Sequence, residues 1–299
     1  MLLLRPPPSA TRTAACCPKH IISGVCRTRT QAAARSAAAT DRADYPGVAA
    51  PHRPADAAAP RPRRARAATM PARASSPSAA ATQKTVLVPI ADGTEEMEAV
   101  VIVDVLRRAG AQVTVASVEE GGRLAVTCSR GVVLVADAPL SAALAARPAF
   151  DLVALPGGMP GAERLGASAE LAECLRAQRA AGRPLAAICA APAVVLEAQG
   201  LLPAGQPATA HPAFSAKLAH QASVSERVAV AVGGGGGGGL VLTSRGPGTA
   251  LELALALVGV LFGEAKAREV AGPMVMAVAG GEWEEAVRKA VAAAQPAAR

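Results

Sequence analysis

The chain has 299 residues, with 31 Lys+Arg against 23 Asp+Glu for a net charge of +8, and it is 51% hydrophobic but 2% aromatic. At about 100–200 residues per domain, that length allows one large domain or two small ones. The charge is unevenly placed: residues 1–83 hold 13 Lys+Arg and 3 Asp, a balance of +10, while residues 84–299 hold 18 Lys+Arg and 20 Asp+Glu, a balance of −2. A stable nucleic-acid partner is therefore not expected, because a binding face needs clustered Lys/Arg in the folded unit and aromatics on which bases stack. After residue 83 the aromatics are Phe150, Phe214, Phe262 and Trp283. A membrane is not expected as a partner either, since the longest strongly apolar run, 251–262, is shorter than the ~20 residues a bilayer requires. Cys16, Cys17 and Cys26 fall in the basic segment, and Cys128, Cys174 and Cys189 are far apart, so neither a disulfide framework nor a paired zinc knuckle is expected.

Residues 1–83 are built mostly from Ala, Arg, Pro, Ser and Thr, with Asp41, Asp44 and Asp56 as their acids. Such a segment buries too little apolar surface to offset the entropy of ordering, and is expected to be a disordered leader. Being Arg-rich, Ser-rich and poor in acids, it has the composition of an organelle transit peptide, with low-complexity sequence as the bland alternative. Abundant Pro and Ser favour chloroplast as the address, with mitochondrion or cytoplasm as alternatives.

From residue 84 onward apolar runs and helical patterns alternate. The run at 84–90 reads as a strand. Met97, Val100, Val101, Val105 and Leu106 then recur at helical spacing over 97–109, and Gly110 stops that helix. A strand at 112–117 completes a strand–helix–strand unit, which implies parallel pairing and a right-handed crossover. The pattern continues with strands at 151–155, 184–188 and 240–244 and helices over 168–181, 190–199 and 250–262. This alternation predicts a single three-layer α/β domain with an open, mostly parallel sheet, followed by a tail, 277–299, with an amphipathic helix over 282–294.

In such folds chemistry sits in the loops beyond the carboxyl ends of the strands. The first is Ala91-Asp-Gly-Thr-Glu-Glu-Met-Glu98. There Glu95 and Glu96 suit a helix N-terminus, and Glu98, one turn in, projects from the top of the sheet. Pro156-Gly-Gly-Met-Pro-Gly161 is either a plain turn or a place where backbone amides approach a ligand. Ala186-Ala-Ile-Cys-Ala-Ala-Pro192 places Cys189 at a strand–turn–helix elbow, where the helix N-terminus is expected to lower the thiol pKa. Thr209-Ala-His-Pro212 supplies His211, and a Cys and a His at one sheet edge form a candidate nucleophile–base pair.

These motifs, with Val103-Asp-Val-Leu-Arg-Arg-Ala-Gly110, Cys128-Ser-Arg130, Leu155-Pro-Gly-Gly158, His211-Pro212 and Leu242-Thr-Ser-Arg-Gly-Pro-Gly-Thr249, occur in one order over 84–276. That stretch resembles the ThiJ/PfpI superfamily, in particular its Parkinsonism-associated protein deglycase (glyoxalase III-like) branch, which implies a flavodoxin-like fold. The resemblance implies that Cys189 is the nucleophile, Glu98 the acid touching its thiol, and His211 a neighbour in the catalytic site. It further implies an oxyanion pocket from the amides of Gly158 and Ala190, with Arg130 and Arg245 lining or bracing it. Family members are usually homodimers, use no metal or organic cofactor, and act on small 2-oxoaldehydes or glycated proteins. The chain departs from the family at Ala191, where Gly is common and where a methyl group is expected to narrow the pocket. It also departs at the glycine run 233–239 and in the tail 277–299.

The expected function is a glyoxalase and deglycase acting on methylglyoxal, glyoxal and early glycation adducts, protecting against reactive-carbonyl and oxidative stress. Burial and a neighbouring thiolate are expected to keep Glu98 protonated to unusually high pH. The alternative is a redox sensor or chaperone with an oxidisable Cys189. A glutamine amidotransferase is disfavoured, because Ala191 stands where that elbow wants Gly and Pro212-Ala213 follows His211. The leader generates a separate test: a fluorescent protein fused behind residues 1–83 is expected to enter the chloroplast, and diffuse cytosolic signal would remove the transit reading.

Overall fold

Thr85–Ile90 (β1) is an unbroken apolar run buried along its whole length, as a strand covered on both faces must be. The computed structural model describes residues 83–219, 222–233, 239–276 and 281–295, all within one compact unit. The leader to residue 82, His220, residues 234–238 of the glycine run and residues 277–280 lie outside the described residues. After β1 come α1 (Glu96–Arg108), β2 (Gln112–Ser117), a hairpin of β3 (Ala125–Thr127) and β4 (Val133–Val135), β5 (Ala138–Pro139), α2 (Leu140–Ala146) and β6 (Leu152–Leu155). The chain continues through α3 (Gly161–Ala167), α4 (Ala169–Ala180), β7 (Leu185–Ile188), a π-helical segment (Pro192–Glu197) and the short strands β8 (Pro207–Ala208) and β9 (Ala222–Ser223). β10 (Val228–Val232), β11 (Leu240–Ser244), α5 (Ala250–Phe262), α6 (Glu264–Ala271) and α7 (Glu282–Ala294) complete it.

The central sheet has the order β10-β11-β7-β6-β1-β2-β5. Its pairs are parallel except β10 with β11. The side-chain period of two divides each strand between two cores. Val86, Val88 and Ile90 of β1 join Ile102 of α1, Leu253 of α5 and Val287 of α7, whereas Leu87 joins Leu140 of α2, Leu165 of α3 and Leu171 and Leu175 of α4. This is the three-layer α/β sandwich that the alternating pattern implies, with the flavodoxin-like fold that the resemblance implies. Among the described residues no helix is long and apolar enough to cross a membrane.

The segments read at 112–117, 240–244, 250–262 and 282–294 coincide with β2, β11, α5 and α7. Beyond Cys189 the structure differs from the expected α-helix over 190–199: the segment is shorter and π-wound. Pro192 offers no backbone N–H at its start, and the amides of Ala193 and Val194 both turn onto Ala190 O, at 3.2 and 2.9 Å.

α5 is apolar on almost every side because it is covered on every side. The C-terminal helix α7 supplies one cover, burying Trp283, Ala286, Val287 and Ala290 in the core that holds α5. Gly259 permits the approach: a Cβ there would stand 3.0 Å from Val287 Cγ1 and 3.1 Å from Val291 Cγ2. Gly259→Leu is therefore expected to lower the unfolding free energy by about 1–3 kcal/mol through overpacking, read as a lower urea midpoint at unchanged slope. An unshifted midpoint would mean that α7 does not dock on α5.

Candidate active site

β7, β6 and β1 are consecutive in the sheet, so the loops that follow them meet at one edge, and the 209–212 loop, which follows β8, reaches that edge through the His211 amide. Cys189 follows the last residue of β7 directly and has φ of +66°, a left-handed conformation that costs a non-glycine residue roughly 1–3 kcal/mol. Two hydrogen bonds hold it there: Cys189 N donates to Ser244 O at 3.0 Å, and Cys189 O accepts from His211 N at 2.8 Å. The elbow is thus fixed by β11 on one side and by the 209–212 loop on the other.

Glu98 lies in the first turn of α1 and is fully buried. Glu95 caps the helix by accepting from Glu98 N at 2.8 Å. The Glu98 carboxyl reaches across to the β6 loop, where Oε2 accepts from Gly157 N at 2.8 Å. Its other oxygen, Oε1, is buried without a hydrogen bond of ordinary geometry, and the Cys189 side chain is close enough to act on the carboxyl group. The β6 loop approaches as backbone. Gly158 has φ of +88°, and a Cβ on it would fall 2.3 Å from Glu95 N, so glycine is required there by conformation and by space.

Both ionisable groups hold their protons unusually well. Burial is the main reason the Glu98 pKa rises to about 7; the Gly157 amide opposes the rise and the Glu95 charge adds to it. Burial likewise pushes the Cys189 thiol up to about 12, with the Glu98 charge adding, while the amides of Gly158 and Ala190 pull it down. Glu98 thus shifts in the expected direction and through burial, although Cys189, expected to add to the rise, opposes it as a hydrogen-bond partner. The thiol does not shift in the expected direction: lowering by the helix N-terminus was expected, but two amides do not outweigh desolvation and a neighbouring negative charge. Those amides belong to Gly158 and Ala190, the two residues that the family resemblance singles out.

The other sequence-derived residues fall elsewhere. His211 touches the elbow through its backbone, and its ring Nδ1 accepts from Ala213 N at 3.2 Å. Among the described residues no hydrogen bond joins that ring to the thiol, so the pair read as nucleophile and base is replaced at the thiol by Glu98. His211 and Arg245 share a shallow cleft of about 300 Å³ with Pro212, Gly246 and Thr249, and Arg245 Nη1 donates to Ser225 O at 3.1 Å. Arg130 is exposed, with Nη1 on Ser129 O at 3.2 Å. The Ala191 side chain is fully buried in the core under α3 and α4, so the expected narrowing of the pocket by its methyl group does not occur.

Two further contributors were not singled out. Gly157 supplies the amide on Glu98, although its glycine-rich loop was marked. Glu96, read as a helix-end acid, instead organises the 128–132 loop, accepting from Ser129 Oγ at 3.0 Å and Arg130 N at 2.9 Å. Burial raises the Glu96 pKa, but these hydrogen bonds and those from its own amide and Val132 outweigh it and leave the pKa below the ordinary range. Cys128 is buried, its thiol pushed up to about 11 by burial and then by the Glu96 and Glu95 charges. Among the described residues no group of three or more His, Cys, Asp or Glu is placed to hold a metal ion.

The chain is 50% identical over 145 residues to Protein DJ-1 homolog B of Arabidopsis thaliana, a match covering 48% of this chain and 32% of that protein. It spans about a third of the length of the two Arabidopsis relatives it matches. It is 36% identical over 111 residues to the Glutathione-independent glyoxalase DJR-1.2 of Caenorhabditis elegans, covering 37% of this chain and 56% of that one. Its fold is similar to the solved structure of oxidized Toxoplasma gondii DJ-1, with a TM-score of 0.57 and 42% identity over 65% of this chain and 99% of that chain. Residues 84–259 match the DJ-1/PfpI family, and this chain belongs to that family.

Proposed function

We propose that this domain is a cofactor-independent glyoxalase and deglycase, converting methylglyoxal, glyoxal and early glycation adducts through Cys189. The observation that carries the proposal is the buried pair of Cys189 and Glu98, with the amides of Gly158 and Ala190 directed at the sulfur. The name of the glyoxalase relative from Caenorhabditis elegans supports the same chemistry.

At rest the thiol keeps its proton, and above pH of about 7 Glu98 is a carboxylate. As sulfur adds to the aldehyde carbon of methylglyoxal, Glu98 accepts the thiol proton, and the amides of Gly158 and Ala190 receive the developing oxyanion. The protonated Glu98 returns that proton to the oxygen, completing a hemithioacetal. Glu98, again a carboxylate, takes the proton from the former aldehyde carbon to give an enediolate and delivers it to the adjacent carbon, while the hydroxyl proton of the hemithioacetal passes to the former ketone oxygen. The product is a thioester of a 2-hydroxy acid. Water then cleaves the thioester, releasing lactate and restoring the thiol. No external oxidant or reductant enters, because the aldehyde carbon is oxidised as the ketone carbon is reduced.

The family's homodimer is also part of the proposal. Met97 and Val100 of α1 and Val132, Val133 and Val135 of the β3–β4 hairpin are exposed large apolar side chains. Val100 and Val135 also line a cleft of about 310 Å³ with Ile90, Val103, Val115 and Leu134, bordered by Asp104 and Arg107. A clustered apolar face of this kind marks an interaction site.

Lactate formation from methylglyoxal is expected to vanish in Cys189→Ser and to fall about 10²- to 10⁴-fold in Glu98→Gln, the range of a general base. Because Glu98 must be ionised to act, wild-type kcat/KM is expected to rise with pH up to about 7 and then level. Glu98→Gln should lack that limb, and full activity in Cys189→Ser would remove the assignment. By sedimentation, the wild type is expected to be a dimer and Val100→Glu with Val133→Glu a folded monomer; an unchanged mass for the double variant would move the interface elsewhere.

A further inference from the structure

Beyond the pocket an ionic cluster ties together the loops that build it. Arg123 grips Asp92 with both ends of its guanidinium, Nη1 to Oδ1 at 3.1 Å and Nη2 to Oδ2 at 2.6 Å. It also donates to Ala125 O at 2.6 Å and to Glu119 Oε2 at 2.7 Å. The Glu119 side chain is 6% exposed and is fully used: Oε1 accepts from Asp92 N at 2.8 Å, and Oε2 accepts in addition from Arg164 at 3.2 Å. An isolated surface ion pair contributes little, but a two-pronged guanidinium grip joined to a buried carboxylate is the arrangement in which such pairs do fix geometry.

What this cluster fixes is the 92–95 turn. Asp92 Oδ1 accepts from Thr127 N at 2.9 Å, and the amides of Gly93 and Ser129 zip the turn to the β3 side at 2.8 Å each. The other side of the turn is the seat of the β6 loop. Cβ atoms built on Gly158 and Gly161 would lie 2.3–2.8 Å from the backbone of Gly93, Thr94 and Glu95, and one on Gly93 would lie 2.4 Å from Pro160. Glu95 N donates to Gly157 O at 2.9 Å. Backbone packed this tightly transmits displacement rather than absorbing it, and the displaced atoms would be the Gly157 amide on Glu98 and the Gly158 amide on the sulfur.

We propose that Arg123 is a positioning residue for the Cys189 site, holding Asp92 and Glu119 so that the 92–95 turn sets the Gly157 and Gly158 amides against Glu98 and the thiol. Arg123 touches neither group and acts through the turn. The inference deepens the catalytic reading of Cys189 and rests on it for its consequence in turnover, but its geometry is read independently through the thiol itself.

The test is the rate of Cys189 alkylation by iodoacetamide in the full chain between pH 7 and 10, followed at the Cys189 peptide by mass spectrometry. Arg123→Met is expected to slow alkylation about tenfold, the equivalent of one pH unit of thiol ionisation, while Cys174 on α4 keeps its rate. Arg123→Lys, which lacks the planar fork, should fall between Met and wild type. An unchanged or faster Cys189 rate, or a parallel change at Cys174, overturns the proposal. Asp92→Asn keeps an acceptor for Thr127 but gives up one guanidinium contact; it is expected to shift in the same direction and decides the question alone if Arg123→Met does not fold. With methylglyoxal, Arg123→Met should lose kcat by up to about 10²-fold, the cost of a misplacement near 1 Å, at nearly constant KM. If the wild type does not turn over methylglyoxal, the catalytic reading fails while the alkylation series still decides the role of Arg123.

Discussion

Two acids share one dry pocket, and neither charged form is welcome there. Burial raises both Glu98 and Cys189; the Glu98 charge raises the thiol further and the Glu95 charge adds to the rise of Glu98, while the thiol, as a hydrogen-bond partner, opposes it. The pocket therefore tolerates at most one negative charge, and three backbone amides, those of Gly157, Gly158 and Ala190, are what it offers in compensation. All three come from backbone that packs without intervening side chains. The chemistry of the site thus depends on how closely three loops approach one another.

That approach is a consequence of sheet order. Because β7, β6 and β1 are neighbours, the loops after them meet with no connecting segment between them, and glycines at 157 and 158 let the middle loop descend onto the first. Cys189 contributes the remaining element by bending into a left-handed conformation at the end of β7. The strain of that bend is met by hydrogen bonds to Ser244 and His211, groups anchored outside the β7 loop. The Cys189 thiol is thereby aimed by β11 and the 209–212 loop, and its electrostatics are set by the β1 and β6 loops together with the Ala190 amide.

The alternation of apolar runs and helical spacing carried the fold into view because both faces of the sheet are covered, so that strand interiors are continuously apolar. Glu98 and Cys189 were legible because each stands at a fixed offset from a strand end. The sign of the thiol shift was not, since it depends on how much water remains at the elbow and on a carboxylate 91 positions away in sequence. The direction of the His211 ring was hidden for a similar reason: its backbone amide, not its imidazole, makes the contact with the elbow. Arg123 and Glu119 lie in a polar stretch with no periodicity, and their partner Asp92 comes from another loop, so nothing local distinguishes them from solvated charges. The Ala191 methyl group pointed to a narrowed pocket only while its direction was unknown; the turn sends it into the opposite core.

A protonated resting thiol also bears on selectivity. A thiolate formed permanently by a helix terminus reacts with any electrophile that reaches it, whereas in the proposed reaction sulfur becomes nucleophilic as its proton passes to Glu98. That transfer moves the single tolerated charge from carboxylate to sulfur and then to the oxygen of the substrate, where the amides of Gly158 and Ala190 can follow it. An electrophile that develops no oxyanion at that point gives the amides nothing to stabilise beyond the sulfur itself. The high thiol pKa and the preorganised amides therefore work as one device. In the proposed reaction the first suppresses chemistry in the empty pocket, and the second restores reactivity for a carbonyl carbon placed beside the sulfur.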